Sequence, residues 1–298
     1  MGRLAILFPG QGAQTVGMGM DLYEQFSSAK VIFDAMGDIK NTTFNGSQQE
    51  LNQTINAQPA LLATSLAIAA ILRESGVEAC GAAGFSVGEI SGLVYCGLLD
   101  IAQGIEFVKF RAKVMADCAL KKPGGMAAVL GLDEDAVINL CSQVDGVYPA
   151  NFNLPSQTVV AYRINAYDAL AQAVAASNGK LIKLAVSGGF HSPLMNGAAV
   201  EIEQYLQNIS INNAIKPLYA NYTSQIYDNP KILPAKQINS PVKWHQTINN
   251  MINDGYDTFV EAGPGRVLTG MIKKMNPEIK VFNIFDVQSF EQTLSKIR

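Results

Sequence analysis

Ala79-Cys-Gly-Ala-Ala-Gly-Phe-Ser-Val-Gly-Glu89 reads as a short apolar strand that breaks abruptly into a helix at Ser86. The glycines of its Gly84-Phe85-Ser86-Val87-Gly88 core remove the side chains that would clash in such a bend, so the residue at the apex projects outward from a strained backbone. Ser86 is therefore a candidate nucleophile. The same letters also describe a plain turn, so the reading needs support from elsewhere in the chain.

Working outward, Leu4 to Phe8 reads as a buried strand ending in the glycine-rich turn Pro9-Gly-Gln-Gly-Ala-Gln14. Leu22, Phe26, Ala29, Phe33 and Met36 then recur at helical spacing and predict one helix. Ser47-Gln-Gln-Glu50 has the form of a capping box before another helical stretch. Leu61 to Leu72 is the most apolar run, expected to be a buried helix opened by Pro59 and closed near Gly76, about half the length that crosses a bilayer. A further helix starts at Glu89. Strand and helix thus alternate, which predicts a parallel sheet with helices on both faces.

The rhythm changes after Gly125. Strand (Met126 to Leu130), helix (Asp133 to Val144), two strands (Val147 to Phe152, Thr158 to Tyr162), helix (Tyr167 to Ser177) and strand (Lys180 to Leu184) follow in the order βαββαβ. Strands near Leu218 to Asn221, Thr258 to Val260 and Val281 to Ile284 then resume the first pattern. The expected fold is α/β: a large α/β-hydrolase-like domain over 1–124 and 190–298, with a ferredoxin-like lobe inserted at 125–189. A substrate cleft is expected between the two.

A serine hydroxyl needs a base near neutral pH, and the chain holds only two histidines, His191 and His245. His191 lies in the glycine-rich loop Ser187-Gly-Gly-Phe-His-Ser-Pro193 between a strand and a helix, where a working side chain is displayed. His245 lies in Pro241-Val-Lys-Trp-His-Gln-Thr247, in the first turns of a helix, and reads as structural or solvated.

Other functions are disfavoured by the composition. A net charge of −3 and isolated lysine pairs at 121–122 and 273–274 give no footprint for nucleic acid. Four scattered cysteines without Cys-x-x-Cys suggest reduced buried thiols, not a zinc site or disulfide framework. The N-terminal apolar run is too short for a signal peptide, and Ile6 spoils a myristoylation reading. No membrane association, metal or organic cofactor is expected. The turns at Gly10 to Thr15, Gly12 to Gly17 and Gly265 to Gly270 lack the third glycine or the lysine of nucleotide loops.

Together these pieces resemble the malonyl-CoA:acyl-carrier-protein transacylase family over essentially the whole chain. The matching stretches are Phe8 to Gln14, Gln58-Pro-Ala60, Gly84 to Glu89, Arg111, Gly125 to Ala128, Asn151-Phe-Asn153, Phe190-His-Ser-Pro193, Ser240 to Trp244 and Glu261-Ala-Gly-Pro-Gly265. The resemblance implies malonyl transfer from coenzyme A to Ser86, and from Ser86 to the phosphopantetheine thiol of acyl carrier protein, with His191 as base and acid. It implies that the backbone carbonyl of Gln237 orients His191 and that the N–H groups of Val87 and Gln11 form the oxyanion hole. It implies that Arg111 grips the malonyl carboxylate beside Phe190; taken alone, Arg111 would read as a helix-surface arginine. Coenzyme A thioester is then a substrate and not a cofactor.

The same resemblance leads us to expect a monomer in the cytoplasm, or in the mitochondrial matrix if a transit peptide has been trimmed. Two positions depart from it. Many members carry His where Phe85 stands, and Tyr162 replaces a small residue, which places it in expectation at the cleft rim or the carrier-facing surface. A serine acyl-thioester hydrolase, an idle carrier-binding module and a malonyl loader of polyketide assembly are the alternatives. Against the first stands the absence of an evident Asp partner in Ser-Asp-His order, and against the second the presence of both Ser86 and His191.

Overall fold

Alternate residues of the first strand, β1 (Arg3–Phe8), divide the core between two faces. Ala5 and Leu7 join a cluster with Trp244, Phe259 and Leu268, whereas Ile6 and Phe8 join the larger cluster of Leu61, Ile90 and Phe107. This is the period-two signature of a strand buried on both sides. β1 is the centre of a five-stranded sheet with β2 (Gly81–Gly84) on one side and β8 (Tyr256–Ala262) on the other. β7 (Leu218–Tyr219) lies outside β2 and β9 (Lys280–Ile284) outside β8, and every pairing is parallel. Helices Thr54–Glu74 and Ile101–Lys121 cover one face; Trp244–Asn253 and Val267–Met275 cover the other. The computed structural model describes residues 2–297.

The second sheet contains β3 (Gly124–Leu130), β4 (Val147–Leu154), β5 (Gln157–Arg163) and β6 (Lys180–Lys183), in the order β4-β5-β3-β6 with all pairings antiparallel. Helices Glu134–Gln143 and Tyr167–Ala176 cross over between its strands, giving the ferredoxin-like βαββαβ arrangement. Asp133 caps the first of these through the Ala136 N–H. Reciprocal main-chain bonds of 2.8 and 2.9 Å between Phe152 and Val242, and between Val242 and Ala150, tie β4 to the large sheet's domain.

Several sequence expectations are corrected. The single helix expected from Leu22 to Met36 is two, Met20–Gln25 and Ser27–Asp34, because Phe26 takes an extended conformation (φ −118°, ψ 126°) and its ring packs edge-on to Phe290. Pro59 does not open its helix. That helix starts at Thr54, a turn earlier, because Asn56 and Ala57 already bond back to the Gln53 carbonyl, and proline costs only one bond at the sixth position. At 21 residues it is long enough to cross a bilayer, yet 83% of its apolar stretch is buried in the protein core. The capping box at Ser47 forms, but the helix it opens lasts only from Gln48 to Leu51. Tyr162 is not at the cleft rim. In β5 the residues Val159 and Ala161 face the large core, so Val160 and Tyr162 point to the opposite side, where Tyr162 packs on Tyr167 under the lobe's helices.

The bend at Ser86 depends on space that only glycine leaves. A Cβ on Gly84 would lie 2.0 Å from the Gly88 carbonyl carbon, and one on Gly88 would lie 2.0 Å from the Phe8 carbonyl oxygen. Both obstacles are backbone and cannot swing aside. Gly88→Ala is expected to cost about 3 kcal/mol or more in urea unfolding. A loss below about 1 kcal/mol would show that the bend tolerates a side chain.

Candidate active site

Ser86 sits between β2 and helix Gly88–Tyr95 with φ +54°, a left-handed conformation rare for a residue with a side chain. Asn221, just after β7, holds this backbone on two sides. Its Oδ1 accepts the Ser86 N–H at 2.8 Å, and its Nδ2 donates to the Gly84 carbonyl at 2.6 Å. The Gln237 side chain adds a third contact, Nε2 to the Ser86 carbonyl at 3.0 Å.

Ser86 Oγ lies 2.7 Å from Nε2 of His191. His191 also has positive φ, +56°, and its ring is buried. Its Nδ1 lies 2.8 Å from the Gln237 carbonyl oxygen. A carbonyl can only accept, so Nδ1 carries the proton and Nε2 is left as a free acceptor facing the hydroxyl. Burial pushes the His191 pKa down to about 4; the bond to Gln237 opposes this and the nearby Arg111 charge adds to it. The imidazole is thus neutral, and able to take a proton, throughout the neutral range.

Arg111 projects from helix Ile101–Lys121 and is 1% exposed, which excludes its reading as a surface arginine. Nη1 donates to Gln58 Oε1 at 2.5 Å, and Nη2 donates to Gln237 Oε1 at 2.8 Å and reaches Ser86 Oγ at 3.4 Å. Among the described residues its Nε has no partner. Burial lowers its pKa to about 10, so it stays cationic at neutral pH. Among the described residues it forms no ion pair, only contacts with neutral oxygens. A buried guanidinium with no carboxylate in direct contact is costly and strongly favours an incoming anion.

Ser86, His191 and Gln58 line a cavity of about 290 Å³ bounded by both sheets' domains, with Arg111 and Gln237 buried behind them. Gln11 and Val87 line it, and among the described residues neither backbone N–H has a protein acceptor. Val87 precedes the first turn of helix Gly88–Tyr95, where backbone donors and the helix dipole favour negative charge. Phe190, Met115 and Met126 supply apolar wall near His191, and Asn151 and Asn153 of β4 supply amides. Phe85 is also in the wall, its ring edge-on to Trp244 at 5.4 Å. His245 is elsewhere: it sits 3.7 Å from Glu134 of the small lobe.

The acyl transferase domain family matches residues 6–285 of this chain. A malonyl CoA-acyl carrier protein transacylase of Bacillus subtilis (strain 168) is 37% identical over 100% of this chain and 98% of its own length. The chain belongs to the malonyl CoA-acyl carrier protein transacylase family. The solved transacylase of Clostridium perfringens superposes with a TM-score of 0.96 at 35% identity, covering 99% of this chain and 97% of that one. A malonyl-transacylase solved in complex with its type II PKS acyl-carrier protein superposes at 0.94 with 33% identity, covering 98% and 99%. The protein is accordingly an acyltransferase of α/β fold, and the large and small sheets described above are those of the family.

In this transacylase Ser86, His191, Gln11, Val87 and Phe190 line one cavity, and Arg111 and Gln237 lie buried behind it, bonded to Ser86, His191 and each other. Sequence reasoning gave Gln237 only its carbonyl, whereas its side chain also bridges Arg111 and Ser86. It assigned no role to Gln58, Glu89 or Asn221. Gln58, the last amide before an apolar helical run, and Glu89, a carboxylate one residue into a buried helix, each carried a visible signal. Asn221 carried none.

Because His191 is buried as a neutral ring, between pH 6.5 and 4 the unfolded chain binds a proton that the folded chain does not, so stability falls as pH drops through that window. Relative to His191→Asn, the wild type is expected to lose about 2–3 kcal/mol of unfolding free energy between pH 7 and 4.5. A constant difference between the two proteins in denaturant titrations would show that the ring is free to charge in the folded state.

Proposed function

We propose that this chain transfers the malonyl group from malonyl-CoA to the phosphopantetheine thiol of an acyl carrier protein through a malonyl ester on Ser86. Arg111 carries this reading: a buried cation, unpaired by any carboxylate among the described residues, stands 3.4 Å from the nucleophile. An acyl group attached at Ser86 Oγ and ending in a carboxylate places that carboxylate within reach of the guanidinium. The names of the relatives agree with this substrate and partner.

In the first half-reaction His191 Nε2 takes the Ser86 proton as Oγ attacks the thioester carbonyl. The negative charge that appears on the carbonyl oxygen meets the unspent N–H groups of Val87 and Gln11, donors of the kind whose loss typically costs roughly 10²–10³ in rate. The imidazolium then returns its proton to the departing coenzyme A sulfur. The second half-reaction reverses the roles, with the carrier's thiol as nucleophile and Ser86 as leaving group. Gln237 holds the ring through its carbonyl, where a carboxylate would serve in a hydrolase triad. A neutral acceptor fixes the tautomer and adds no negative charge beside Arg111.

Intact mass after mixing with malonyl-CoA is expected to show one malonyl adduct, discharged by a carrier protein bearing phosphopantetheine. Ser86→Ala is expected to show neither adduct nor transfer; a stoichiometric adduct on that variant would move the nucleophile elsewhere. In competition between malonyl-CoA and acetyl-CoA, Arg111→Ala is expected to lower the malonyl-to-acetyl ratio of kcat/KM by about 30- to 1,000-fold, with folding checked by circular dichroism. An equal fall for both substrates would make Arg111 a structural residue.

A further inference from the structure

One buried ionisable group has no part in the chemistry above. Glu89, in the first turn of helix Gly88–Tyr95, is completely buried. Its Oε2 accepts the Asn221 N–H at 2.6 Å, and its Oε1 accepts the Tyr227 hydroxyl. Glu89 and Arg111 form no ion pair, but neutral amides connect them. Arg111 Nη2 donates to Gln237 Oε1, Gln237 Nε2 lies 3.5 Å from Asn221 Oδ1, and the Asn221 backbone N–H is on Glu89.

We propose that Glu89 is a specificity-determining residue: it is the internal countercharge of Arg111, and it releases that charge to the carboxylate of the incoming acyl group by taking a proton from solvent. The inference rests on the malonyl reading given above. Two carboxylates beside one guanidinium in a desolvated site repel each other, and one of them neutralises at neutral pH. The acyl carboxylate can contact Nη directly, whereas Glu89 is separated from it by Gln237 and Asn221, so Glu89 is the one that protonates.

Burial has already pushed the Glu89 pKa up to about 7, with the Tyr227 hydroxyl, the Asn221 N–H, the Gln237 amide and the Arg111 charge offsetting part of the effect. Tyr227 and Arg111 are the titratable groups acting on it, and both hold their protons near neutrality. Tyr227 is held well above its ordinary value by burial, and Arg111 remains near 10. A protonated Glu89 keeps its carbonyl oxygen for the Asn221 N–H and turns its O–H toward the Tyr227 oxygen, whose own proton rotates away from Glu89. The balance is one proton moved from water to Glu89, with no covalent bond of the acyl transfer altered. Acetyl brings no carboxylate and therefore no proton.

Binding of the proton and of the malonyl carboxylate is then mutually favourable, and the linkage is reciprocal. The test is the malonyl-to-acetyl ratio of kcat/KM from pH 6 to 8.5, in which the titrations of coenzyme A and His191 cancel. In the wild type the ratio is expected to fall roughly 5- to 50-fold as pH rises across Glu89's titration. In Glu89→Gln, which is permanently neutral, it is expected to stay level. A level ratio in the wild type, or the same slope in the variant, would overturn the proposal, and a purely structural Glu89 would lower both substrates without changing the slope.

A second measurement needs no variant. In weakly buffered solution at pH 7 with an indicator dye, malonylation of the wild type is expected to take up about 0.5 proton per adduct, and acetylation close to none. Equal uptake with the two acyl groups, or none with either, contradicts it. If Arg111→Ala leaves the malonyl-to-acetyl ratio unchanged, the malonyl reading itself is what fails. If Arg111→Ala collapses the ratio while the wild type shows neither slope nor uptake, only the role of Glu89 fails.

Discussion

The left-handed backbone of Ser86 is the constraint on which the rest of the site is assembled. Such a conformation persists only when its surroundings over-determine it. Here Gly84 and Gly88 allow backbone to pass backbone at distances no Cβ would permit, and the Asn221 side chain ties the strand end to the start of the turn. The same bend that aims Oγ into the cavity also sets Val87 in its wall with an N–H that has no partner among the described residues. Nucleophile and oxyanion donor are consequences of a single turn, and both are lost if it relaxes.

Around that turn the electrostatics are arranged by withholding charge. The base is oriented by a carbonyl and kept neutral by burial, so no carboxylate of a triad enters the cavity. The guanidinium is surrounded by amide oxygens of Gln58 and Gln237, which position it without neutralising it. Gln237 serves both purposes at once: its main chain orients His191, and its side chain joins Arg111 to the Ser86 carbonyl. A positive site of this kind discriminates through what the substrate adds, because only an acyl group with its own carboxylate completes the ion pair.

Much of this was legible in the sequence where one residue type has a distinctive physical job. Gly-x-Ser-x-Gly marked the turn, and the scarcity of histidine singled out His191. The βαββαβ order of apolar segments gave the second sheet and its crossovers. Misreadings arose where tertiary contacts overrode local pattern. Phe26 fits a helical stripe from Leu22 to Met36, yet it leaves the helix to pack on Phe290, more than 260 positions away. Tyr162 was expected at the cleft rim or the carrier-facing surface because it replaces a small residue of the family, but strand alternation points it the other way. Asn221 was invisible because its importance lies in its distance from Gly84 and Ser86, set by the pairing of β7 with β2, and no local pattern encodes that pairing.

The central claim is that Arg111 is held unpaired beside the nucleophile to receive a carboxylate. A crystal structure of the enzyme trapped as its malonyl ester tests it most directly. The expected result is an ester on Ser86 Oγ whose terminal carboxylate accepts hydrogen bonds from the Arg111 guanidinium. An ester whose carboxylate points to solvent, with the Arg111 contacts to Gln58 and Gln237 unchanged, would contradict the claim.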